Sequence, residues 1–147
     1  MNKINWKLLI LIGLTGPLLA LAGNFGYVSF DAEPFVALGI FLVASILFSV
    51  FKTGKYFMHG FLAALLFGFL MTMIRLKFMQ QYINTNPDSI DKGESFMQWV
   101  HYVRSIKTIL FSLILISGAI SGILAWGVHL ILRLINPGYF TLVKNQE

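Results

Sequence analysis

The sequence predicts an all-α fold, an integral membrane bundle of four transmembrane helices with helices three and four prolonged outside the membrane as a helical hairpin. Three observations predict it. Of the 147 residues, 57% are hydrophobic and only 12% charged, with a mean hydropathy of +0.77, so too few charges exist to clothe a soluble globule of this length. The apolar residues gather into four runs, each close to the roughly 20 residues a helix needs to cross a hydrocarbon core. Small residues recur at helical spacing in two of those runs, the pattern that lets helices approach closely in lipid.

The first run, residues 8–30, follows Lys3 and Lys7 and carries Pro17, which is expected to kink it. Its basic start and the small pair Ala20 and Ala22 imitate a secretory signal. The apolar run continues past that pair, so an uncleaved helix is expected. Asp31, Glu33 and Pro34 form a short acidic break before the second run, residues 35–51, and the turn from Lys52 to Lys55 leads into the third, residues 56–76. Phe78, Met79 and Tyr82 keep helical spacing beyond Arg75 and Lys77, which carries that helix out of the lipid to a stop before Asn84. The polar stretch NTNPDSIDKGE, residues 84–94, is dense in turn formers and makes the hairpin tip. Ser95 or Asp91 caps the next helix, whose Phe96, Trp99, Val100 and Val103 share a face before the fourth span, residues 108–134. The hairpin thus covers residues 77–107, and Asn136-Pro137 ends the last helix. No linker or low-complexity tract divides the chain, so residues 1–147 read as one membrane domain.

The formal net charge is +5 and the pI about 9.6. The basic residues sit beside apolar runs, so membrane topology accounts for them and nucleic acid is not an expected partner. With a cytoplasmic N-terminus, Lys3, Lys7, Lys52, Lys55, Arg133 and Lys144 gather inside and Arg75, Lys77, Lys92, Arg104 and Lys107 outside, where Asp31, Glu33, Asp88, Asp91 and Glu94 balance them. The tight basic turn from Lys52 to Lys55 and the acidic first outer loop decide the orientation. Both termini are therefore expected in the cytoplasm, as in a multi-pass protein of a bacterial inner membrane. The absence of cysteine excludes disulfides, thiolate chemistry and cysteine-ligated metal.

None of the four runs holds an Asp or Glu within its apolar stretch, which argues against self-contained proton-driven transport. His59, His129 and Arg133, with Lys52 and Lys55 at the same level, form a basic cluster suited to a lipid headgroup or other phosphate; the plainer use of the lysines and arginines is snorkelling. His101 falls on the opposite side from His59 and His129, so no metal site is expected, and no Ser/His/Asp set converges. The chain is read as a non-enzyme without a cofactor. On the outer side, Arg75, Lys77, Arg104 and Lys107 are expected to form exposed ion pairs worth roughly 0–1 kcal/mol each. Phe96, Met97, Trp99 and Tyr102 give the lead-in helix an aromatic face for the membrane surface or a partner, and Trp6 and Trp126 suit interface positions.

The small residues form two stripes. Gly60, Ala64, Gly68 and Thr72 recur every four residues in the third run, and Ser117, Gly118, Ser121, Gly122 and Ala125 line one side of the fourth. They serve packing within the chain, docking of another membrane protein, or self-association. The stretches GFLAALLFGF and ISGAISGIL, with Asn86 to Asp88 between them, resemble a family of small four-helix bacterial membrane proteins of unknown function. That resemblance covers the second half of the chain. It implies the four-helix fold, residence in the bacterial inner membrane and an accessory place beside envelope glycosyltransferases. The expected function is a non-catalytic membrane subunit that docks by helix packing, with a membrane glycosyltransferase using lipid-linked sugars as the partner. The alternative is a homo-oligomeric transporter or flippase-like carrier of an anionic lipid, gripped by His59, His129 and Arg133.

Overall fold

The computed structural model describes residues 4–51, 55–87 and 106–135, and every regular element among them is a helix: α1 (Trp6–Gly13), α2 (Thr15–Asn24), α3 (Glu33–Val50), α4 (Tyr56–Lys77), α5 (Met79–Thr85) and α6 (Ile106–Ile135). Four stretches are long and apolar enough to cross a membrane: Trp6–Asn24, Glu33–Val50, Tyr56–Lys77 and Ile114–Ile135.

The first span opens with Asn5, whose side chain accepts from the Leu8 amide at 3.2 Å. It breaks at Leu14, between α1 and α2, because Pro17 has no N–H to donate to the Gly13 carbonyl four residues back. Thr15 mends part of the gap by donating its hydroxyl to the Ile12 carbonyl at 2.6 Å. The span ends at Asn24 and not at residue 30. Gly26 takes φ +76° to turn the chain, and Tyr27 beyond it is 84% exposed. Glu33 and Pro34 start α3 instead of separating two spans, since proline at a helix start gives up only an amide that would have no helical acceptor. Phe78, at φ −114°, interrupts the third helix, and α5 prolongs it to Thr85. The rest of the expected hairpin, with Asp88, Asp91, Lys92, Glu94, Phe96, Met97, Trp99, His101, Tyr102 and Arg104, lies outside the described residues, as do Lys3, Lys52 and Lys144.

Helix α4 is the centre of the bundle, with α6 along one side, α1 and α2 along another, and α3 bridging to α6. The two stripes of small residues face each other across the α4–α6 contact. Gly60 lies against the Ser121 carbonyl and 2.9 Å, by its missing Cβ, from the Ala125 methyl; Gly122 receives the Phe57 ring at 2.8 Å and Gly118 the Phe61 ring at 3.0 Å. Phe57 and Phe61, one turn apart and stacked at 6.0 Å, thus fill the two holes that Gly122 and Gly118 leave one turn apart on α6. Gly68 is looser, 3.5 Å from Ile114, while Ala64, Ser121 and Ala125 are buried. Thr72 and Ser117 return their hydroxyls to their own helices, at the carbonyls of Gly68 and Ile114, both at 2.8 Å.

A third small stripe, not singled out in the sequence, seats the first span. Gly13 lies under Leu66, Gly16 against the Phe67 carbonyl, Ala20 is fully buried and Gly23 faces Glu33. Their spacing of three, four and three residues was the available signal. Leu8, Leu9, Ile12, Ala44, Phe48, Ala63 and Ala125 form the core where the spans meet.

Candidate functional site

Two polar clusters sit at opposite ends of the bundle. At the end bearing Asn5 and Tyr56, His59 is wholly enclosed beside Phe48, with ring centroids 5.4 Å apart. Its Nε2 accepts the Asn5 amide at 3.0 Å and its Nδ1 lies 3.2 Å from the Lys55 carbonyl. The amide can only donate and the carbonyl can only accept, so the ring is neutral with its proton on Nδ1. Both nitrogens are engaged, and none is left for a headgroup. His59 acts as a fastener that ties the start of the first span to α4, 54 residues away.

The other members of the expected basic cluster are spread out. Lys55 is exposed and holds the left-handed φ of +43° that precedes α4. His129 stacks on the Tyr56 ring at 3.7 Å, with its Nδ1 3.4 Å from the Ser49 hydroxyl, and so joins α6, α4 and α3. Arg133, one turn further along α6, is exposed. Lys52 lies outside the described residues. Among the described residues no group of three or more His, Cys, Asp or Glu side chains is placed to hold a metal.

The second cluster corrects the reading of the outer charges. Glu33 is not in an exposed acidic break: it opens α3, its side chain is 8% exposed, and it meets Arg75 of α4 through two parallel bonds, Nη1 to Oε2 at 2.8 Å and Nη2 to Oε1 at 2.7 Å. The carboxylate fits because Gly23 has no side chain, since a Cβ there would overlap Oε1. The guanidinium also covers the Tyr82 ring, 3.9 Å from its centroid. A buried two-bond pair of this kind is charge-assisted and geometrically specific, unlike the solvated pairs expected from sequence.

Around the pair, Asn86 binds the α2–α3 connection. Its amide nitrogen donates to the Gly23 carbonyl at 3.1 Å and its oxygen accepts the Phe30 amide at 3.1 Å, while Thr85 donates to the Asn24 carbonyl at 3.1 Å. The Asn24 side chain is completely enclosed, and neither its oxygen nor its nitrogen finds a protein partner, as is also true of Arg75 Nε and the Tyr82 hydroxyl. Burial pushes the Tyr82 phenol above its ordinary range, against the opposing pull of Arg75.

The outward faces are apolar. On α6, Ile116, Ile120, Ile123, Ile131 and Leu134 are all exposed, and Gly127 stands among them with nothing within 4 Å of where a Cβ would be. Together these six residues recur at intervals of four, three, four, four and three, which keeps them on one face of the helix.

No family model, curated protein or solved structure matches the chain.

Proposed function

We propose that the protein is a small, non-catalytic membrane subunit that binds another membrane helix through the outward face of α6. The observation that carries this reading is the stripe Ile116, Ile120, Ile123, Gly127, Ile131 and Leu134, apolar and exposed over about five turns of one helix. From Ile116 to Gly127 it follows the alternation of four and three that seams between helices use, and Gly127 lets a partner backbone come close. Gly60, Ala64, Gly68, Gly118 and Gly122 are taken up between α4 and α6, so the docking surface shifts from them to the far side of α6.

The polar side chains support the same reading, because they fasten helices to one another. His59 joins α4 to the first span, and Glu33 with Arg75 joins α3 to α4. The partner is an integral membrane protein of the bacterial inner membrane, and the resemblance of the second half of the chain suggests a glycosyltransferase using lipid-linked sugars. The basic turn from Lys52 to Lys55 and the acidic residues expected on the other side favour cytoplasmic termini.

Extraction of the tagged protein from its own membranes in a mild detergent, followed by native mass spectrometry, tests the proposal. A second polypeptide at fixed stoichiometry is expected, and Gly127→Leu is expected to release it without disturbing the bundle, since the Cβ it adds meets nothing within 4 Å. A particle containing this chain alone, or a partner retained by Gly127→Leu, refutes it.

A further inference from the structure

We infer that the cleft between the first span and α3 is a binding site for one anionic phospholipid, with an acyl chain in the cleft and the phosphate at Lys7. The two spans both pack on α4 but diverge from each other, leaving an open slot of about 390 Å³ lined by Leu11, Ile12 and Thr15 on one side and Gly39, Val43 and Leu47 on the other. Its size falls within the roughly 300–1,000 Å³ of small-molecule clefts, and its lining of aliphatic side chains suits a hydrocarbon chain. The lining is dry. Thr15 is its polar side chain, and its hydroxyl is turned back onto the Ile12 carbonyl at 2.6 Å, so it presents its methyl group.

The charge at the mouth selects the occupant. Lys7 is exposed and lies one turn before Leu11, on the face of α1 that lines the cleft. A lysine on a helix leans toward the N-terminus, which carries its ammonium out of the apolar slot to headgroup depth. An acyl chain lying along Leu11 and Val43 therefore ends beside a cation. This site is separate from the basic cluster around His129 and from the docking face of α6.

Gly39 supplies the decisive variant. Nothing lies within 4 Å of where its Cβ would be, so Gly39→Leu has room to start its side chain into the slot. The full-length protein is equilibrated in mild detergent with equal amounts of phosphatidylglycerol and phosphatidylcholine of matched chains and examined by native mass spectrometry. The wild type is expected to retain one lipid, with phosphatidylglycerol favoured about fivefold, the preference that one basic residue near a lipid surface supplies. Lys7→Gln is expected to retain a lipid with no preference, and Gly39→Leu to lose it while keeping the wild-type unfolding temperature or exceeding it. Equal retention of the two lipids by the wild type, an unchanged preference in Lys7→Gln, undiminished lipid in Gly39→Leu, or a polypeptide released by Gly39→Leu in place of lipid would each overturn the assignment.

Discussion

Replacing Arg75 by Met should cost the fold more than replacing Glu33 by Gln, and the two changes together should cost less than their separate effects imply. Arg75→Met leaves the Glu33 carboxylate, 8% exposed, without its two donors, whereas Glu33→Gln leaves the more accessible guanidinium, 23% exposed, with one amide oxygen still in place. Removing one member of a buried pair typically costs about 3–5 kcal/mol, and exchanging both for neutral groups is often nearly neutral. The position of the pair at the ends of α3 and α4 puts Arg75→Met at about 3 kcal/mol and Glu33→Gln at about 2. With both replaced no charge is stranded, and a coupling of at least about 2 kcal/mol is expected. The assay is reversible unfolding of the four proteins in mixed micelles at one pH and lipid composition. A coupling below about 0.5 kcal/mol, the level at which independent sites add, would show that the pair does not hold α3 to α4.

Other changes read the remaining contacts. His59→Ala removes a wholly enclosed ring and strands the Asn5 amide, so a loss of about 3 kcal/mol is expected in the same unfolding assay. Gly122→Leu drives a side chain into the Phe57 ring and carbonyl, and loss of stability by about 2 kcal/mol or more is expected whether or not a partner is bound. Tyr82 ionises above its ordinary value of 10.0 because it is buried, so the folded state keeps its proton longer than the unfolded one. That contribution is complete below about pH 10 and is lost as pH rises through the raised value. Tyr82→Phe is expected to flatten the alkaline fall in stability, and it removes a buried hydroxyl that has no partner, so at neutral pH it should be neutral or slightly stabilising.

The spans were legible because hydropathy is a local property. The second and third come within two residues of the observed ends, Glu33–Val50 and Tyr56–Lys77. The end of the first was placed six residues too far because Phe25, Tyr27, Val28 and Phe30 are as apolar as a span, and only the φ of Gly26 reveals that the chain has turned. The polar fasteners were not legible. His59 and Asn5 are 54 residues apart, and Glu33 and Arg75 are 42 apart, so neither partner marks the other in sequence. Gly60 and Gly122 could be recognised as packing residues, but which helix each faced depended on the fold. The outward stripe of α6 is written in the same letters as its inward side, Ile against Gly and Ser, and periodicity alone does not say which faces out.

The separation of Glu33 from Arg75 also sets an order of events during synthesis. The carboxylate leaves the ribosome 42 residues before its partner, an interval of about 2–8 s at 5–20 residues per second. Through that time α3 carries an uncompensated charge at its leading end, and the headgroup region is the place that accommodates it. Once Arg75 emerges, α3 can be drawn fully against Gly23 and α4. A nascent chain halted before Arg75 has left the ribosome should therefore remain easier to extract from the membrane than one halted just after it has left, which makes the closing of this pair a checkpoint in assembly.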